Sequence, residues 1–169
     1  MSLAVDMARA RAPAEDGEVR SEYLQALRLI ERLHRLLLDV IKDEFDRLGG
    51  SDLNSVQALL LYNIGPAELT AGELKTRGYY LGSNVSYNLK KLVDMGYIHY
   101  KRSDTDKRSV RVSLTEKGLE ASKVVQSLYQ RQLGSLEKVG EVDNEDLQSL
   151  NRSLVRLERF WSYQISYRL

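Results

Sequence analysis

The hydrophobic period of this chain departs from that of a helix in one place only. From about residue 18 to the C-terminus, apolar residues recur at helical spacing, interrupted by two short neighbouring stretches, 97–101 and 109–114. In the second stretch Val110, Val112 and Leu114 alternate with polar residues. A 3.6-residue period marks helices with one buried face, and a 2-residue period marks half-buried strands. The chain must therefore be mainly α with one small β-hairpin.

Local signals divide the helical part. Between Glu18 and Leu48, Leu27, Ile30, Leu37, Ile41 and Leu48 fall near a heptad seam, and Leu33, Leu36, Leu38 and Val40 widen it. That face is too broad for a helix packed on a single neighbour. Gly49-Gly50 ends it. Asn54 and Gln57 have capping-box spacing and open a second helix that stops at Gly65-Pro66. Thr70 and Glu73 form another such box and open a short third helix through Arg77. A fourth helix is expected from Ser83 to Met95, closed by Gly96. After the hairpin, Thr115 caps a long helix to about Val139, and a last helix begins near Asp143. Residues 1–18, which include Pro13 and Gly17 and carry no sustained apolar stripe, read as a flexible arm. The expected partition is an arm at 1–18, helical regions at 19–50 and 119–169, and a compact unit at 51–118.

Charge separates along the chain. The whole carries 25 Lys/Arg and 24 Asp/Glu, a net charge of +1. From Lys75 to Arg111 there are nine Lys/Arg and three Asp, a local net of +6, which leaves −5 on the remainder. A basic patch on a mildly acidic body suits a polyanionic partner.

The fourth helix sits inside that patch and has two faces. Val85, Leu89 and Leu92 form an apolar stripe, and Asn84, Tyr87, Asn88 and Lys91 form the opposite one. A helix fits the DNA major groove, where an asparagine can bond adenine through two edges. Ser83, Asn84, Tyr87 and Asn88 are the candidate base-facing residues, and Lys90 and Lys91 suit phosphates. The competing reading is a merely solvated polar face. The capped helix before it and the charged hairpin tip after it, with Arg102, Asp106, Lys107 and Arg108, favour nucleic acid.

The hairpin and the residues after it, DKRSVRVSLTEKG over 106–118, resemble the wing signature of the MarR family: D-x-R, a valine-rich strand, then L-T-x-x-G. The preceding LKKLVDMGYI over 89–98 resembles the end of that family's recognition helix and its first wing strand. The resemblance covers about 53–120. It implies a winged helix-turn-helix between long N- and C-terminal dimerisation helices, acting as a homodimeric regulator on double-stranded DNA. Arg108 becomes the wing-tip arginine, drawn to the negative potential of a narrow minor groove, and Asp106 its orienting carboxylate. The segment RGYYLGSNVSYNLKKLV over 77–93, with the additional aromatics Tyr79 and Tyr80, is similar to the LdtR-type branch, whose members are linked to cell-wall remodelling genes.

The last helix carries Leu147, Leu150, Leu154, Leu157 and Trp161 at heptad-like steps, and Tyr129, Tyr163 and Tyr167 add interface-type aromatic area. Two-fold self-association through these helices would present two recognition helices to a pseudo-palindromic site. The family resemblance also implies a small aromatic effector in a crevice, for which Tyr23, His34 and Tyr62 are candidates. His34, on a mostly apolar helix, reads more readily as a core or interface histidine.

Other classes find little support. No catalytic residue, metal site or cofactor is expected. His34 and His99 have no ligand partner at metal-binding spacing, and no phosphate-binding glycine loop occurs. There is no cysteine to form disulfides or sense oxidants. No apolar run approaches the ~20 residues that span a bilayer, and Asp6 interrupts any signal-peptide core, so the cytoplasm is the expected compartment. The alternative from another class is a winged helix used as a protein-interaction module.

Overall fold

The computed structural model describes residues 13–76, 83–102 and 110–167. In chain order the elements are α1 (Pro13–Arg47), α2 (Ser55–Ile64), β1 (Leu69–Thr70), α3 (Ala71–Thr76), α4 (Ser83–Asp94), β2 (Ile98–Arg102), β3 (Val110–Leu114), α5 (Glu116–Gly140) and α6 (Asn144–Tyr167). The chain divides within α2, between Leu59 and Leu60, into two compact units.

The first unit is dominated by α1. This helix starts at Pro13, five residues before the expected Glu18. Pro13 and Gly17 therefore lie inside the helix rather than in the arm. A proline in the first turn lacks only an N–H that would have no intrahelical partner, and its fixed φ suits the helix. Gly17 costs about 1 kcal/mol in a helix interior, too little to stop one supported on both sides. At the other end Gly49 and Gly50 take positive φ (104° and 85°), and the Gly50 N–H reaches back to the Phe45 carbonyl at 2.9 Å. These bonds satisfy carbonyls that the helix end would leave bare. Ile41 and Glu44 are buried, and Glu44 accepts two hydrogen bonds from Arg47, at 2.8 and 3.1 Å. Of the residues that widen the seam, Leu33 and Leu36 are exposed, while Leu38 and Val40 are half-buried.

Next, Asn54 caps α2 as its spacing predicts. Its side chain accepts from the Gln57 N–H at 2.8 Å, and the Gln57 side chain accepts from the Asn54 N–H at 3.1 Å.

The second unit holds the winged part. Its core gathers Leu60, Leu61, Ile64, Leu69, Leu74, Leu89, Leu92, Ile98, Val112 and Val125, all buried. Thr70 and Glu73 close a reciprocal box on α3, with the Thr70 N–H donating to Glu73 at 2.6 Å and the Glu73 N–H to Thr70 Oγ1 at 3.1 Å. Replacing Thr70 with alanine is expected to cost about 1 kcal/mol, seen as a lower denaturant midpoint with an unchanged slope.

The sheet has three antiparallel strands in the order β1-β3-β2, one more than the sequence announced. β1 is two residues long, and Leu69 and Thr70 pair with Val112 and Arg111. A two-residue strand has no period of its own, so only its partner reveals it. In the wing Ile98 faces Leu114, Tyr100 faces Val112, and Lys101 faces Arg111. Leu69, Ile98, Val112 and Leu114 are buried; Lys101, Arg111 and His99 are exposed on the opposite face.

α5 buries one stripe near its start, Gly118, Ala121, Val125 and Leu128, and packs there against β3. Tyr129, grouped from sequence with the interface aromatics, meets Tyr62 edge-on, with ring centroids 5.1 Å apart. α6, opened by an Asp143–Asp146 cap, has no buried residue. Among the described residues no helix is long and apolar enough to cross a membrane.

Candidate nucleic-acid interface

α4 carries out the division of labour its sequence predicts. Leu89 and Leu92 are buried, which fixes the helix on the core. Tyr87 on the far side is 62% exposed. Lys90 and Lys91 are exposed and Asn88 is half-buried. The Lys91 ammonium lies 5.9 Å from the centre of the Tyr87 ring one turn earlier, at the outer limit of a cation–π contact. The pair leaves a cation and a phenol hydroxyl side by side on the open face, a combination suited to a phosphate and an adjacent base edge. Ser83 and Asn84 stand in the first turn, where a recognition helix reads bases. Their side chains lie outside the described part of the structure, as does that of Arg102 at the end of β2. The residues Asp106, Lys107 and Arg108 at the wing tip, and the aromatic turn Tyr79-Tyr80, lie outside the described residues.

How α4 and the wing are held is the feature that sequence reasoning missed. Gly96, at φ 78°, turns the chain out of α4, and the Tyr97 N–H closes the turn on the Leu92 carbonyl at 2.8 Å. The start of α5 then clasps this turn. Thr115 Oγ1 donates to the Gly96 carbonyl at 2.7 Å and accepts from the Gly118 N–H at 3.1 Å. The Thr115 N–H donates to the Tyr97 carbonyl at 3.0 Å. Lys117 reaches the Met95 carbonyl at 3.1 Å with its ammonium 4.0 Å from the centre of the Tyr97 ring. The L-T-x-x-G segment is therefore a joint. It ties the recognition helix and the root of the wing to the first turn of α5. The signal that points to it is Gly118, a glycine at the third residue of a helix, where propensity alone disfavours it.

On the outer face of the wing Lys101 and Arg111 stand opposite each other across the strands. Like charges at directly facing positions are destabilising. Part of that cost is offset by Glu68, which accepts from Arg111 at 3.1 Å. That pair is exposed and contributes little by itself. Both basic residues belong to the +6 segment, yet neither was singled out from the sequence.

Two of the effector candidates lie on α1. Tyr23 and His34 are three turns apart on one side of α1, Tyr23 half-buried and His34 exposed. Tyr62 is half-buried and engaged with Tyr129. Among the described residues no cluster of His, Asp or Glu could hold a metal ion.

Comparison with known proteins agrees with this geometry. A family model described as a winged helix DNA-binding domain matches residues 53–118. The chain is 38% identical over 148 residues, 86% of its length and 74% of the relative's, to the exopolysaccharide II synthesis transcriptional activator ExpG of Rhizobium meliloti. Its fold is that of a MarR transcriptional regulator from Methanosarcina mazei (TM-score 0.65, 21% identity, 84% of this chain and 99% of that one). It is also that of a mutant MarR from E. coli complexed with operator DNA (TM-score 0.64, 23% identity, 80% and 95%). These relatives are regulators and not enzymes. The chain belongs to the MarR-type family of winged helix-turn-helix transcription regulators.

Proposed function

We propose that this chain binds a pseudo-palindromic operator as a homodimer, reading bases with α4 and groove shape with the wing. The observation that carries the reading is the two-faced α4, with Leu89 and Leu92 buried and Tyr87, Lys90 and Lys91 exposed. The structural relative bound to operator DNA supports it. Dimerisation through α6 is supported by the leucine stripe there, which no described part of the chain buries.

The roles of individual residues follow from the chemistry of the grooves. Asn84 and Asn88 are one turn apart on α4 and address neighbouring base pairs. Replacing either with alanine should cost about 1–3 kcal/mol at the preferred base and relax specificity there. Lys91 bonds phosphate. Its loss should weaken operator and scrambled DNA alike and flatten the salt slope by about one unit. Arg108→Ala should hurt most on A·T-rich flanks, where the minor groove is narrow. Titrations of each variant on operator and scrambled duplexes at several salt concentrations decide the matter. Equal losses on both duplexes for the asparagine variants would remove α4 from base reading. A wild type with no sequence preference would leave the protein-interaction module as the better account.

The regulated genes proposed are those of the cell envelope. The relative named for exopolysaccharide synthesis and the LdtR-type resemblance of residues 77–93 both point there. A small aromatic effector completes the reading, with Tyr62 as one candidate contact. Its test is release of the operator by a panel of aromatic acids, and retention of that response in a Tyr62→Ala variant would clear Tyr62 of the role.

A further inference from the structure

The first turn of α5 meets three consecutive backbone carbonyls where the recognition helix ends. α4 closes on itself first: the Gly96 N–H donates to the Val93 carbonyl at 3.0 Å and the Tyr97 N–H to the Leu92 carbonyl at 2.8 Å. This is the paired cap that a glycine at positive φ permits. The carbonyls of Met95, Gly96 and Tyr97 follow, at the negative end of the helix dipole. Thr115 satisfies two of them, through Oγ1 to Gly96 and through its N–H to Tyr97. Lys117 reaches the third, its ammonium donating to the Met95 carbonyl at 3.1 Å.

Lys117 is poorly placed for its own helix. It is the second residue of α5, where the dipole favours acids and a cation costs some stability. The same charge is favourable at the C-terminal end of α4. The ammonium also lies 4.0 Å from the centre of the Tyr97 ring, well within cation–π range. Tyr97 is buried, so the ring is a fixed platform, and β2 begins at the next residue. One cation therefore joins the end of α4, the root of the wing and the start of α5. Thr115 and Gly118 shape the backbone of the joint, and Lys117 supplies its charge.

We infer that Lys117 is a positioning residue for operator recognition, its ammonium holding the C-terminal end of α4 in the orientation from which that helix reads bases. The inference rests on the operator reading of α4 proposed above. The contact is exposed and adds little to global stability. Its effect falls instead on the fraction of chains whose α4 is set for the groove, and the apparent affinity for a specific site scales with that fraction. Binding to arbitrary sequence follows the number of phosphate contacts and is indifferent to it.

The full-length variant Lys117→Met keeps an unbranched stem against Tyr97 and removes the charge and the donor. Lys117→Arg keeps both. In hydrogen exchange without DNA, the Met95, Gly96 and Tyr97 amides of Lys117→Met should exchange several-fold faster than in the wild type. The Val125 and Leu128 amides, in the buried stripe of α5, should not change. Operator affinity should fall several-fold, with scrambled DNA and the salt slope unaffected, and Lys117→Arg should match the wild type throughout. Uniform acceleration of all these amides would make Lys117 a general stabiliser and overturn the inference, as would unchanged exchange at 95–97. Equal losses on both duplexes, with the salt slope flattened by about one unit, would make it a phosphate contact instead. A Lys117→Arg variant as weak as Lys117→Met would overturn the role of the charge. A wild type without sequence preference would overturn the operator reading and this inference with it; the exchange data, collected without DNA, fail only if Lys117 does not hold α4.

Discussion

Gly118→Ala is expected to destabilise the chain by about 3 kcal/mol or more, at the upper end for adding one methyl group to a packed site. A Cβ at this position would fall well inside van der Waals contact distance of the Tyr97 carbonyl oxygen, and within 3.3 Å of the Leu114 Cβ. The Tyr97 atoms are backbone, so no change of rotamer relieves the clash. The first turn of α5 must move away, and with it go the Thr115 bonds to Gly96, Tyr97 and Gly118. Gly134, further along α5, provides the control. A Cβ there meets nothing within 4 Å, so Gly134→Ala should stabilise by about 1 kcal/mol through helix propensity. Urea titrations of both variants, followed by operator binding of whatever fraction folds, test the joint. A Gly118→Ala protein as stable as the wild type would show that α5 and Tyr97 are not in close contact in solution.

The second large effect concerns α6. A helix running from Asn144 to Tyr167 without a buried residue is not held in place by propensity, because helical stability in proteins comes mostly from packing one face. Leu150, Leu154 and Phe160 are 49%, 39% and 48% exposed in the single chain. Covering a leucine or phenylalanine contributes about 1.5–3 kcal/mol per side chain, and a two-fold contact counts each residue twice. Leu154→Glu/Trp161→Glu should therefore yield monomers by sedimentation. The monomers should bind the operator about 10²- to 10⁴-fold more weakly, since the second half-site no longer benefits from tethering. Glu145→Gln, at the exposed start of the same helix, should change neither. A doubly substituted chain that still sediments as a dimer would move the interface off this stripe.

Much of the architecture was legible because its signals are local. Asn54 with Gln57, Thr70 with Glu73 and Thr115 with Gly118 are partners three residues apart, and each bond is formed as the spacing implies. The two faces of α4 follow from the 3.6-residue period, and Leu89 and Leu92 lie where that period puts them. The early start of α1 escaped because proline and glycine were weighed without regard to position in the turn. The contact of Tyr129 with Tyr62 escaped because periodicity tells that a residue is amphipathic but not which neighbour it meets.

The sequence by itself determined which segments are helices, where they are capped, and which face of α4 turns outward. These depend on interactions within one or two turns, whose geometry is the same in any fold. Only the tertiary structure decided that Leu69 and Thr70 form a strand, that Glu68 meets Arg111 across 43 residues, and that Gly118 admits the Tyr97 carbonyl. Each depends on chain segments brought together by burial of the shared core. A residue's own neighbours carry no record of what lies on the other side of that core.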